Sequence, residues 1–256
     1  MPAPAAHRLL LSAGEFRRLV ELTETELPPG WAPPEADSDA DVALRERGVL
    51  LEDGSVHPSV RMNLTVLSSP LAMVDTTVSI GDLGARSLHA VRDELGASLI
   101  KRENGAVELS LFAAITLGVE LARAVPQPPQ TGGIAARLGD SAPAPLPAGV
   151  LPLEALQEIG QAQLLLDSPA AVLDRLSLSP AESALAKATV DSDGGLQAIV
   201  TTRQAVGLVT WLHLPGGWVG VRPVPDGSGR KLVRLEPTER TALGSWAAPV
   251  LAGAFA

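Results

Sequence analysis

The first seventy residues have the apolar spacing of helices. Phe16, Leu19 and Val20 recur at helical intervals, and Ser12 with Glu15 ahead of them forms the pattern of a capping box. In such a box the serine and the acidic side chain each bond a backbone N–H group at the start of a helix. We therefore predict a helix that begins after Ser12. Similar reasoning predicts helices at 38–48 and 58–68, with a proline-rich acidic loop at 28–37.

After residue 70 the helical period gives way to the alternation typical of strands. Asn104–Gly105 lies between two such runs and predicts a hairpin turn, because both positions of the tight turn require positive φ. The run from Leu111 to Ala124 is almost wholly apolar, and we predict that it forms a buried helix. The strands predicted in this part of the chain are 71–80, 86–93, 97–103 and 106–109.

The segment 126–152 interrupts the pattern. It holds seven of the 22 prolines and has no hydrophobic period, which is typical of a linker or a long surface loop. Helices are predicted beyond it at 153–166, from Ser168–Pro169, and from Ser179–Pro180, where Glu182 completes a second capping box. Strands at 196–202, 205–213, 218–224 and 231–235 follow, and then a helix at 237–252 with one apolar stripe.

The order of elements after this linker repeats the order before it. Each half has helices, four strands and a closing helix. We therefore predict an α+β protein built from two related α-ββββ-α units with pseudo-two-fold symmetry. The first half would span 1–125, the linker 126–152 and the second half 153–256, together forming one domain.

Composition excludes several classes of function. The net charge is −9, and the chain lacks a large basic cluster, so a nucleic acid partner is not expected. The sequence has no cysteine, which removes disulfides, thiolate metal sites and thiol nucleophiles. No apolar stretch reaches the roughly 20 residues of a membrane span, and no signal peptide is evident, so we expect a soluble cytosolic protein.

The sequence contains no catalytic or cofactor-binding motif that we can identify. The four histidines are not spaced as metal ligands, and Asp191–Gly194 matches only part of a calcium loop. Neither a phosphate-binding glycine loop nor a serine-nucleophile elbow is present. We therefore expect a protein that is not an enzyme and needs no cofactor or metal. His213, beside a glycine turn and Trp218, leaves open a small-molecule or regulatory pocket, or a hydrolase-like site.

Several short segments of the sequence resemble the EspG family of chaperones associated with actinobacterial ESX (type VII) secretion. They are Leu44–Val49, Asp53–Gly54 with the 58–68 helix, Gly105–Leu109, and Trp211 with Gly217–Val219 ahead of the closing helix. The resemblance covers most of the chain. It implies a mostly antiparallel central sheet flanked by helical bundles.

The same resemblance implies a partner. Members of the family bind secreted PE–PPE heterodimers at the apolar tip of the PPE helices and keep them soluble before export. A WXG100-type helical hairpin is the alternative partner for a divergent member. The apolar residues that we predict to bind this partner are Trp211, Trp218, Val219, Leu164 and Leu165, with core packing as the competing interpretation. The sequence leaves the oligomeric state open.

Overall fold

The described residues of the computed structural model form ten strands. The model describes residues 6–32, 39–102, 104–127, 145–165, 168–227 and 229–254. The strands are β1 (His7–Leu11), β2 (Ala72–Ile80), β3 (Leu83–Arg92), β4 (Leu95–Lys101), β5 (Val107–Ala113), β6 (Gly149–Pro152), β7 (Gly194–Thr202), β8 (Val206–Leu214), β9 (Gly217–Val224) and β10 (Leu232–Thr238). They pair antiparallel in one sheet, in the order β1-β5-β4-β3-β2-β7-β8-β9-β10-β6.

Eight helices are present in the same described ranges. They are α1 (Ala13–Leu22), α2 (Ala40–Glu46), α3 (Pro58–Ser68), α4 (Leu117–Ala124), α5 (Leu153–Leu164), α6 (Pro169–Leu173), α7 (Pro180–Ala188) and α8 (Leu243–Leu251). Both predicted capping boxes are confirmed, at Ser12 with Glu15 and at Ser179 with Glu182. No helix among these residues has the length and apolar character needed to span a bilayer.

The sheet has a pseudo-two-fold axis at its centre. Strands β1 to β5 of the first half correspond in order to strands β6 to β10 of the second half. From the centre to the edge, the first half runs β2, β3, β4, β5, β1 and the second half runs β7, β8, β9, β10, β6. At the centre β2 pairs with β7, and both have nine residues. Thr76 pairs with Ala198, and a shift of 122 positions, from 76 to 198, relates β2, β3 and β4 to β7, β8 and β9. The predicted α+β class and duplicated halves are confirmed.

The two faces of the sheet are covered differently. We call one the bundle face: α1 to α3 pack on it in the first half against Leu88, Leu99 and Leu109, and α5 to α7 pack on it in the second half. We call the other the crossing face: α4 and α8 pack on it over the central strands, against residues such as Val74 and Leu196. Because side chains alternate along strands, the register fixes which residues belong to each face.

Two predicted helices begin later than expected. Residues 111–113 complete β5, and α4 starts only at Leu117, with Ile115 90% exposed and Val119 also exposed, so the prediction of one buried helix from Leu111 was wrong. In the same way β10 extends to Thr238 and α8 begins at Leu243. In the first case a strand with apolar residues on both faces runs into a helix without a polar break, so periodicity alone does not place the boundary.

The predicted hairpin between β4 and β5 is confirmed, but its turn differs. Gly105 has φ +78°, whereas Asn104 is not among the residues with positive φ. Its side-chain oxygen instead accepts a hydrogen bond from the N–H of Ala106 at 3.1 Å, as in an Asx turn. The edge strands β1 and β6 were not predicted, and β6 lies in the segment assigned to the linker. The rest of that linker at 128–144, and residue 38 at the predicted start of the second helix, lie outside the described residues.

Candidate functional site

Three of the five residues predicted to bind a partner lie in the core. Trp211 and Trp218 are buried on the crossing face, where Trp211 contacts both Trp218, at 6.0 Å between ring centroids, and Trp246, at 5.9 Å. Val219 is buried on the bundle face beneath the second-half helices. Aromatic contacts of this geometry stabilise a core by about 1 kcal/mol each beyond burial. These three side chains therefore pack the interior and have no surface for a partner in this conformation.

The other two predicted residues are at the surface. Leu164 is 85% exposed and Leu165 is 77% exposed, at the C-terminal end of α5. The Gln163 side chain next to them donates to the carbonyl oxygen of Val190 at 2.9 Å, which fixes this helix end to the loop before β7. Two adjacent exposed leucines at an anchored helix end form a small apolar protrusion.

A larger apolar surface lies on the bundle face between the two groups of helices. Ile199 on β7 and its direct cross-strand partner Leu208 on β8 are 48% and 62% exposed, and Val206 is exposed farther along β8. We call these three residues the sheet strip. Four of their neighbours on this face are polar and uncharged: Thr77, Gln197, Thr201 and Thr210. The fifth, Asp75, is the direct partner of Ile199 on β2, and its charge is paired with Arg86. An exposed apolar surface with a polar rim is characteristic of a protein interface.

The first half shows how the counterpart of the sheet strip is covered. The same shift of 122 positions relates Leu208 to Arg86 and Ile199 to Thr77. There Trp31 is fully buried, its indole N–H donates to Asp75 at 2.9 Å, and the guanidinium of Arg86 lies 4.5 Å from the ring centroid. Thus the loop after α1 covers the first-half surface, whereas the equivalent second-half surface is apolar and exposed within the described part of the chain.

Charged side chains hold Trp31 in place. Lys101 lies 5.0 Å from the indole centroid and, like Arg86, donates to the carbonyl oxygen of Gly30 at 3.1 Å. Partial burial lowers the pKa of Lys101, and the nearby Arg86 lowers it further. Asp75 accepts from Arg86 at 3.0 Å and balances part of this positive charge. The first-half surface is therefore polar and occupied, whereas the sheet strip is apolar and exposed among the residues that the structure describes.

A second feature lies on the crossing face near His213. A cavity of about 560 Å³ is lined by His213, Trp218 and Arg240 among others. The Nδ1 atom of His213 is 2.6 Å from a carboxylate oxygen of Asp193, and its ring contacts Trp218 at 4.8 Å between centroids. Sequence reasoning singled out His213 but missed Asp193, which is 20 residues away. The antiparallel pairing of Gly194 with His213 brings them together.

The crossing face of the first half holds a buried ion network. Glu108 and Glu120 are both buried, and Arg123 bridges them at 2.6 Å and 3.0 Å. Arg102 and Arg8 complete the network at its edge. Burial raises the pKa of Glu108, but the ion pairs with Arg102 and Arg123 outweigh it, so the pKa is lowered overall. The network joins β1, β5 and α4.

Comparison of the sequence with protein-family models and with curated proteins finds no match. Among solved structures, two dehydratases, one a domain of the curacin polyketide synthase and one from Phytophthora capsici, match with TM-scores of only 0.16 and 0.14, which carry no functional argument.

A third solved structure matches over nearly the whole chain. It is the Mycobacterium tuberculosis type VII secretion system chaperone EspG5, in complex with a PE25–PPE41 dimer. The TM-score is 0.66 with 17% sequence identity, and the match covers 96% of each chain. At this identity the likeness establishes the architecture and not the activity. The protein therefore has the fold of a type VII secretion chaperone, as the sequence resemblance implied.

Proposed function

We propose that this protein is a cytosolic chaperone that binds a secreted helical substrate of a type VII system, such as a PE–PPE heterodimer, and keeps it soluble before export. The observation that carries the proposal is the whole-chain likeness to a chaperone solved with such a dimer. The protein would act by binding alone, without catalysis or a cofactor. A WXG100-type hairpin is the alternative substrate.

The sheet strip and the α5 end supply a surface suited to this role. Ile199, Val206 and Leu208 offer uncharged apolar contact area, and Leu164 with Leu165 project from the same half. A helical bundle that exposes an apolar tip aggregates unless the tip is covered. Burial of that tip against these residues would contribute about 25 cal/mol for each Å² removed from water.

The first half offers an internal precedent for the contact. Trp31 packs on the counterpart of the sheet strip and loses all solvent exposure there. A substrate that places an apolar side chain over Ile199 and Leu208 would restore the same arrangement in the second half. The difference between the halves supports the proposal of one substrate site in each chain, on the bundle face of the second half.

Co-expression tests this proposal. A tagged copy is produced together with the small helical proteins encoded beside its gene, and complexes are identified by size-exclusion chromatography and mass spectrometry. We expect a stoichiometric complex with a partner that is insoluble alone. Leu208→Asp and Ile199→Asp should each weaken it about tenfold or more, because a buried unpaired carboxylate is costly.

The matched control is Ile115→Asp. Ile115 is also an exposed apolar residue, but it precedes α4, which packs on the crossing face. This substitution should leave the complex intact. If all candidate partners are soluble alone and none co-elutes, the chaperone proposal is wrong; if Ile115→Asp weakens the complex as much as Leu208→Asp, the assigned surface is wrong.

A further inference from the structure

The cavity beside His213 lies on the opposite side of the sheet from the surface proposed for the substrate. His213 and Trp218 project from the crossing face, and the turn Arg240–Ala242 leads into α8 on that side. The volume of about 560 Å³ lies within the range of sites that hold small organic molecules. Its lining combines an aromatic wall at Trp218 with a few polar groups, which is the usual composition of such sites.

Two contacts fix the orientation of the His213 ring. Asp193 lies 2.6 Å from Nδ1, and the edge-to-face contact with Trp218 holds the ring plane. A carboxylate accepts hydrogen bonds only, so in the neutral imidazole the Nδ1 atom carries the proton. The other ring nitrogen, Nε2, is then an acceptor that remains for a group in the cavity. His213 itself is buried, so this acceptor has little access to bulk water.

Arg240 supplies a cation on the same lining. Within the ranges that the structure describes, its guanidinium forms no ion pair or hydrogen bond. The adjacent Glu239 also lines the cavity; its side chain is exposed, and its carboxylate accepts from the hydroxyl of Thr241 at 3.4 Å. An arginine without a carboxylate partner at the wall of a cavity offers its planar donors to a carboxylate or phosphate group.

We propose that this cavity binds a small oxyanion that also carries a hydroxyl group, such as a hydroxy carboxylate or a protonated phosphate. Arg240 binds the anionic oxygens, and His213 Nε2 accepts the hydrogen bond of the hydroxyl. Trp218 packs against the ligand. This site does not depend on the chaperone proposal, because it uses the other face of the sheet and none of the residues of the sheet strip.

The test uses citrate and inorganic phosphate as probes, with sulfate at equal ionic strength as the comparison. Isothermal titration calorimetry measures binding, and intrinsic tryptophan fluorescence, to which Trp218 contributes as one of four tryptophans, follows it. We expect saturable binding of at least one probe, with sulfate weaker because it has no hydroxyl at neutral pH. Arg240→Gln should weaken the binding about tenfold or more.

Arg203→Gln is the matched control, since Arg203 is an exposed arginine in the turn between β7 and β8, outside the cavity lining. Asp193→Asn removes the carboxylate that orients His213 and should also weaken binding, while unfolding curves confirm that each variant is folded. Absence of saturation for both probes, or equal weakening by the two arginine variants, would overturn the site. Sulfate binding as tightly as phosphate would overturn the role of His213.

Discussion

Gly118 and Gly244 touch through their backbones where α4 crosses α8. Each is the second residue of its helix, so the contact joins equivalent positions of the two halves. A Cβ atom added to Gly244 would lie 2.9 Å from the Cα of Gly118, whereas one added to Gly118 would lie 3.9 Å from the Cα of Gly244. The closing helices of the two halves therefore meet near the pseudo-two-fold axis through a contact that admits no side chain on Gly244.

We expect Gly244→Ala to destabilise the protein by about 1–3 kcal/mol, because the obstacle is backbone and cannot rotate away. Gly118→Ala should cost clearly less. Urea unfolding monitored by circular dichroism measures both. Gly160→Ala in α5 is the control: an added Cβ there meets nothing within 4 Å, and alanine favours the helix by about 0.5–1 kcal/mol. Equal effects of the two crossing variants would contradict the geometry.

His89 predicts a loss of stability in mild acid. Burial, with a smaller contribution from Arg123, lowers the pKa of His89 from 6.5 to about 3. Below pH 6.5 the unfolded chain takes up a proton that the folded protein does not, so unfolding becomes more favourable as the pH falls toward 3. The slope approaches about 1.4 kcal/mol per pH unit.

His89→Gln should remove this part of the pH dependence. The free energy of unfolding of both proteins is measured in urea at pH 7.5 and pH 4.5. We expect the wild type to lose more stability than the variant over this interval, by about 2–3 kcal/mol. The carboxylates contribute equally to both proteins, so parallel pH profiles would show that His89 titrates normally in the folded state.

Arg123 is predicted to be the essential cation of the buried ion network. Arg123→Met leaves Glu108 and Glu120 buried with fewer cationic partners, and we expect a cost of about 3 kcal/mol. Arg17→Gln, which removes an exposed pair with Glu21, should cost less than about 0.5 kcal/mol. Chemical unfolding compares the two. A small effect of Arg123→Met would mean that Arg8 replaces it.

Trp31 is predicted to stabilise the first half and to cover its sheet surface. Trp31→Ala should cost about 3–5 kcal/mol and uncover the sheet surface beside Arg86. Trp31→Phe keeps the ring but loses the hydrogen bond to Asp75, so its cost should be about 1–3 kcal/mol. Thermal unfolding gives the order of stability. If the two variants are equally stable, the loop after α1 does not depend on the indole for its position.

The capping-box signals in the sequence were reliable, and signals that depend on distant pairing were not. The capping boxes at Ser12 and Ser179 were predictable because all their partners lie within three residues. The sheet strip was not predictable, since Ile199 alternates with buried Ala198 and Val200, and such a run reads as a strand covered on both faces. Whether a helix covers a given face is decided by segments far away in the chain.

The dependence on distant segments also explains why core tryptophans were predicted to bind a partner. Tryptophans are frequent at interfaces, but Trp211 and Trp218 lie on the neighbouring strands β8 and β9 beneath α8 and pack the core. Nothing local distinguishes those two roles. Leu164 and Leu165 follow a helical pattern. The pattern fits either the core or the surface until the position of the helix end is known.

The pairing of Thr76 with Ala198 has a consequence for synthesis on the ribosome. Strand β2 is the outer edge of the first-half sheet until β7 has been translated, 122 residues later. At typical translation rates the wait is on the order of ten seconds, during which an unpaired strand is open to pairing with another chain. A nascent chain whose translation stops between its halves would therefore expose β2 as an unpaired strand that can aggregate. A ribosome-associated chaperone would have to protect this strand.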